Sequence, residues 1–267
     1  MVYISKNLRS PLNVISLGAG KQSSFLLIQA LKKTWGWFPD VTIFADTQNE
    51  PPWTYSHLAF LQEYAYSKYK HEITIISAGS LVENNLNYLS GFSSTASSLP
   101  LRLANDKGFL HRQCTADFKI KPLRRFLKNI KPSRNIIFHI GISLDEIERK
   151  TSSNIAYIKN NYPLCDSRID IKQIRSFFKS SNLPVPGKSS CLVCPFHSQT
   201  YWKYLKLNFP AEFNHVCDFD DKIRNWHKAS DKCYLHRSCT PLRSCDLSFT
   251  PSLFPELIEE CSGICGL

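Results

Sequence analysis

Nowhere in the 267 residues does an apolar run reach the length needed to cross a bilayer. The longest, such as residues 136–142, are strand-sized, and residues 1–7 open onto no apolar segment of the kind that leads a secreted chain. We therefore expect a cytoplasmic protein with no membrane partner. Acidic residues are also short: 22 Asp and Glu stand against 33 Lys and Arg, a formal net charge of +11. A surface of that sign attracts polyanions by releasing their condensed counterions, so nucleic acid is the leading partner class and a small anionic nucleotide the alternative. No repeat period is present. A disulfide framework is equally unexpected: the 10 cysteines of an intracellular chain stay reduced, and clustered ones more often bind metal or do redox chemistry. Cys165 and Cys217 lack close cysteine neighbours and read as small apolar side chains.

What is present is an ordinary globular composition, 43% hydrophobic and 21% charged, with enough chain for one large domain or a domain with an appendage. The N-terminal half alternates strand and helix patterns. Residues 13–17 are a β-branched run ending in Gly18-Ala19-Gly20, residues 23–33 are helical, 41–45 strand, 53–69 helical and 72–77 strand. That alternation predicts an α/β fold, doubly wound, with a mostly parallel sheet of five or six strands. Residues 78–110, rich in Ser, Asn and Gly, read as a long mobile loop, either a lid over a site or a poorly ordered insertion. Residues 121–128 start a basic helix behind Pro122, 136–142 read as a buried strand and 171–180 as a helix. Beyond Pro184 repeated prolines break the pattern. We expect residues 1–183 to form a nucleotide-binding α/β domain and 184–267 a small, irregular, cysteine-bearing region packed on it.

Three segments point to an anionic ligand. Gly18, Ala19 and Gly20 lie between a strand and a helix, where small residues let backbone amides approach an anion and the helix dipole favours it. Ser23 and Ser24 add hydroxyls, and Lys21 a cation. The spacing fits neither the Walker loop nor the dinucleotide fingerprint. Asp46 and Thr47 close the next strand at its carboxyl end, where doubly wound sheets bind ligands; Asp46 could hold a ribose or adenine, or cap a turn. Gly141 opens a segment in which Glu146 and Arg149, one turn apart, can share a face, with Arg149 available to phosphate or sulfate. Lys119, Lys121, Arg124, Arg125 and Lys128 form a basic run suited to a phosphate backbone or to plain solvation.

The second constellation is sulfur. Cys191 and Cys194 form a Cys-x-x-Cys that suits zinc or iron equally, 77 positions after Cys114. Cys261 and Cys265 near the end could complete a cluster, or join Cys191 and Cys194 in a zinc site. Cys233, His236 and Cys239 match no metal spacing we recognise.

These segments resemble the PP-loop family, the ATP pyrophosphatases and phosphoadenosine phosphosulfate (PAPS) reductases with an adenine nucleotide alpha hydrolase-like fold. Gly18 to Ser23 fall on the family's Ser-Gly-Gly-x-Asp-Ser, with Gly18 in place of the first serine and Gln22 in place of the aspartate. Residues 44–55 resemble its acid-Thr stretch and Glu-Thr-Tyr-like helix start, and residues 141–149 its Gly-Ile-x-x-Asp-Glu-x-x-Arg. Cys114, Lys119, Pro122 and Leu123 match the Cys-Cys-x-x-Arg-Lys-x-x-Pro-Leu of adenylylsulfate reductases, with Thr115 on the second cysteine. The likeness is greatest to PAPS-reductase-like proteins of phages and mobile elements. It implies ATP and Mg²⁺, and a [4Fe–4S] cluster on Cys114, Cys191 and Cys194 with one open corner, as in tRNA-thiolating relatives. It further implies a nucleic-acid substrate, tRNA or DNA, for thiolation or phosphorothioation, and a sulfur donor such as a cysteine desulfurase. Two alternatives stay open: a reductase whose nucleophile is Cys261, and a non-catalytic nucleotide-binding subunit on nucleic acid, for which Gln22 argues.

Overall fold

The structure, a computed structural model, describes residues 10–104, 108–130, 134–226 and 229–248; Cys261 and Cys265 lie outside them. Among the described residues the strands are β1 (Leu12–Leu17), β2 (Val41–Asp46), β3 (Ile73–Ser77), β4 (Arg102–Leu103), β5 (Ile136–Ile140), β6 (Ile158–Asn161) and β7 (Cys233–Tyr234). Five of them form one sheet in the order β3-β2-β1-β5-β6, every pairing parallel, while β4 and β7 make a small antiparallel ribbon. The expected doubly wound α/β architecture is present, with five strands in the main sheet.

The helices are α1 (Lys21–Leu31), α2 (Pro52–Tyr69), α3 (Leu81–Leu89), α4 (Lys121–Ile130), α5 (Pro163–Asp166), α6 (Ile171–Ser180), α7 (Gln199–Asn208) and α8 (Pro210–Lys222). Side chains alternate across a strand, so each face of β1 needs its own cover. Ile15 and Leu17 pack with α1, α2 and α6 through Leu26, Leu27, Leu61 and Phe178. Leu12 and Val14 pack on the other face with α4 through Leu123 and Leu127. Each such side chain contributes roughly 1.5–3 kcal/mol on burial. The strand order reverses between β1 and β5, and the loops leaving their carboxyl ends diverge around a crevice.

Two expectations need correction. Residues 78–110 are not one long loop. Ser80 caps α3 by accepting from the Glu83 amide at 3.2 Å, and Leu81, Val82 and Tyr88 are buried. Leu99 and Leu101, each 1% exposed, then plug into a core and cannot act as a lid while seated there. The region beyond Pro184 is also more regular than its prolines imply. Pro210 sits in the first turn of α8, where its missing N–H costs nothing, so it starts a helix and does not break one. α3, α7 and α8 share a large core with Phe118, Val193, Trp202 and Trp226, drawn from both sides of residue 184.

Candidate active site

The loop after β1 is held open by its own backbone. Ala19 takes a φ of 53°, the left-handed region, at a place where glycine would be unstrained. The Gly18 amide donates to Ser23 Oγ at 3.1 Å, and the Ser24 amide to the Gly20 carbonyl at 3.0 Å, which starts α1. No side chain caps that helix and no acid lies in its first turn. The first turn and positive end of α1 therefore suit an anion.

Neighbouring segments press onto this loop. A Cβ on Gly141 would lie 2.8 Å from the backbone of Ser23, and one on Gly20 would lie 2.6 Å from Ser189 Oγ. Glycine is required at position 141, where the clash would be with backbone, for the loop after β5 to reach the start of α1; at Gly20 the neighbour is a side-chain hydroxyl of the segment before Cys191. Gln22 then crosses to the short 3-10 helix at Leu144–Arg149, donating to Ser143 Oγ at 2.6 Å and to Glu146 Oε2 at 2.8 Å. Arg149 binds that same oxygen at 2.6 Å. A carboxylate at position 22 would face Glu146, whereas the amide donates to it. Glutamine is thus matched to its surroundings here.

The loop after β2 ties the glycine loop to the cysteines. Thr47 Oγ1 donates to Glu50 Oε1 at 3.0 Å, and Lys119 pairs with the same oxygen at 3.2 Å. The Leu192 amide donates to the Asn49 carbonyl at 2.8 Å, and Trp53 Nε1 to the Lys188 carbonyl at 2.8 Å. Cys191 and Cys194 form a tight turn closed by the Cys194 amide on the Cys191 carbonyl at 3.1 Å. Cys114 is placed by its amide on the Ser98 carbonyl at 3.2 Å, just before a wide helical turn at Ala116–Ile120. Burial beside Cys191 and Cys194 holds the Tyr201 hydroxyl well above the usual phenol range.

These pieces enclose one cavity of about 350 Å³. Gly18, Lys21, Gln22, Ser23, Thr47 and Gly141 line it, and so do Cys114, Cys191 and Cys194. Six basic side chains reach it: Lys21, Arg112, Lys119, Arg124, Arg149 and Lys188. Glu146 is the sole carboxylate among its lining residues. Leu123, Leu127, Phe138 and Ile158 supply an apolar side. Such a cavity suits a flat apolar group carrying several negative charges.

Other predicted residues fall elsewhere. Asp46 is at the end of β2, but its Oδ1 accepts from the Gln48 amide and from the Tyr55 hydroxyl, each at 2.8 Å, and it does not line the cavity. Ala19, Gly20 and Ser24 are behind the lining; Ser24 is buried against His57. The basic run divides. Lys119 and Arg124 turn inward, Arg124 onto Asn154 at 2.9 Å; Lys121 pairs with Asp117; Arg125 and Lys128 are exposed. Sequence reasoning missed Glu50, Arg112 and Lys188. The position of Lys188, three residues before Cys191, was the available signal.

All three cavity cysteines are free thiols. Among the described residues no three Cys, His, Asp or Glu side chains converge as a ready site for one metal ion. The donors are thiols on one cavity, a chemistry that fits a thiophilic centre such as an iron–sulfur cluster. Among the described residues, no helix is long and apolar enough to cross a membrane.

No family model matches the chain, and no curated protein does. Among solved structures, it is similar to the U34-tRNA thiolase NcsA from Methanococcus maripaludis with its [4Fe-4S] cluster. The two superpose with a TM-score of 0.44 at 14% identity, over 80% of this chain and 72% of that one.

Proposed function

We propose that this chain is a PP-loop-type ATP pyrophosphatase that adenylates a nucleic-acid substrate for sulfur transfer. One observation carries the reading: the glycine loop and the three cysteines line the same strongly basic cavity. In this account the triphosphate lies on the amides at the start of α1, and Lys21 and Arg149 stabilise the charge that develops as pyrophosphate leaves, with Mg²⁺ bound to the phosphates. An acceptor oxygen on the nucleic acid attacks the α-phosphorus; a P–O bond forms, the α–β bond breaks, and pyrophosphate departs. A sulfur-donor protein of the cysteine desulfurase class carries the sulfur as a persulfide. An external thiol reductant cleaves that S–S bond, is itself left as a disulfide and releases hydrosulfide. The hydrosulfide attacks the activated carbon, so that a C–S bond forms, the C–O bond breaks and AMP leaves with the oxygen. Cys114, Cys191 and Cys194 would hold a [4Fe–4S] cluster, whose chemistry when bound is to present soft, sulfide-binding iron. The apolar side of Leu123, Leu127 and Phe138 receives the adenine and excludes water from it. The net charge of +11 suits a tRNA or DNA backbone.

The test is pyrophosphate release from ATP by anaerobically reconstituted protein, with and without total tRNA or duplex DNA. Release stimulated by one nucleic acid is expected. Cys191→Ala should retain ATP binding and lose most bound iron. Absence of release under every condition contradicts the reading, and sulfite formed from PAPS would move the assignment to a reductase.

A further inference from the structure

We infer that Lys188, which belongs to no part of the glycine loop, supplies the opposite wall of an oxyanion subsite in the cavity, and that this subsite takes a tetrahedral phosphoryl or sulfuryl group. Lys188 is 7% exposed, yet it lines the cavity beside Gly18, Ser189 and Cys191. Its ammonium lies 5.9 Å from the centre of the Tyr201 ring. Among the described residues no carboxylate pairs with it, whereas Lys119 has Glu50 and Arg149 has Glu146. A lysine that lines a cavity with no carboxylate partner offers its ammonium to an anion there, and a distant ring face is only a weak substitute for one.

The placement of this cation is built into the fold. The Lys188 carbonyl accepts from Trp53 Nε1 at 2.8 Å, which fixes the backbone. The next residue, Ser189, lies so close to Gly20 that a Cβ there would come within 2.6 Å of its hydroxyl. The segment is therefore laid directly over the glycine loop. An anion between them meets the uncapped amides of α1 on one side and Lys188 on the other. Lys188 also precedes Cys191 by three positions, so the group it holds is brought toward the thiols. The inference rests on the proposed function only for what carries the anion; the oxyanion itself can be tested with no nucleotide present.

The experiment compares the full chain with Lys188→Met and Lys188→Arg, by calorimetric titration and thermal denaturation. The ligands are inorganic pyrophosphate, sulfate and adenosine. Lys188→Met is expected to melt no lower than the parent in anion-free buffer, because it removes no ion pair and keeps the apolar stem. It should bind pyrophosphate or sulfate roughly ten- to hundredfold more weakly. Lys188→Arg should retain most of the affinity, and adenosine should bind all three alike. The stronger of the two anions tells a phosphoryl from a sulfuryl site. A Lys188→Met protein that melts lower without anion and binds both anions as the parent does would overturn the inference and make Lys188 a structural residue. Anion binding through Lys188 without pyrophosphate release from ATP would keep the subsite and sink the proposed function.

Discussion

Acidification from about pH 7.5 to about pH 5 is expected to remove several kcal/mol of stability. Three buried histidines set this. Burial lowers His57, His71 and His139 from 6.5 to about 4 each. The unfolded chain takes up these protons near pH 6.5, the folded chain only near pH 4, so between those values the unfolded state binds more protons. Stability is therefore full above about pH 6.5 and falls as the pH drops toward 4. At about pH 5 each histidine accounts for roughly 2 kcal/mol, a total on the order of 6 kcal/mol. The contacts explain the resistance to protonation. His139 is stacked on Trp37 with ring centres 3.6 Å apart, donates from Nε2 to Asn13 and accepts from the Asn161 amide at Nδ1, 2.9 Å away. His71 bonds Thr42 at 2.8 Å, and His57 bonds Ser24, behind the glycine loop, at 3.1 Å. Urea midpoints measured across this range should fall steeply below about pH 6.5, and His139→Gln should remove roughly a third of the slope. Midpoints that stay level to about pH 5 would contradict the burial of these rings.

Asp220→Ala is expected to cost about 3–5 kcal/mol, because it strips the nearer charge partner from the partly buried Arg224 and the acceptor from two buried amides. Asp220 is fully buried on α8. It pairs with Arg224 at 2.5 Å and accepts from the amides of Leu235 at 2.8 Å and Leu242 at 2.9 Å. One carboxylate thus fastens α8 to β7 and to the short helix at Leu242–Ser244. The same core contains Leu192 and Val193, so the loosened variant should also expose the Cys191–Cys194 turn to thiol reagents. Denaturant midpoints check the size. Asp220→Asn, which retains an acceptor but no charge, should fall between parent and Ala. A loss below about 1 kcal/mol for the Ala variant would contradict the role given to this carboxylate.

The parts of the fold that were legible in the sequence are those with local signals. β-branched runs marked β1, β2 and β5. Asp170 and Gln173 form a capping box at the start of α6, and Glu146 and Arg149 make the ion pair that their spacing allowed. The illegible parts depend on distant partners. α3 is hidden among Ser and Asn because its helix is stabilised by packing against residues more than a hundred positions later. α8 was hidden because Pro210 reads as a breaker unless the helix start is known. At the site, spacing identified the glycine loop and the cysteines, but not that Asp46 would be engaged by Tyr55 or Lys119 by Glu50. Lys188 was overlooked for the opposite reason, although its place three residues before Cys191 was a signal. A lysine beside two serines reads as surface, and only the fold buries it.

The central claim is that the glycine loop and the three cysteines form one nucleotide-sized site, and thiol protection tests it most directly. In metal-free protein, alkylation of each cysteine would be followed by mass spectrometry with and without saturating ATP. The account predicts that ATP slows modification of Cys114 and Cys191, which are partly exposed in the cavity, and leaves the rate at Cys239, outside it, unchanged. Bound ATP that leaves the rates at Cys114 and Cys191 unchanged would place the nucleotide elsewhere and contradict the account.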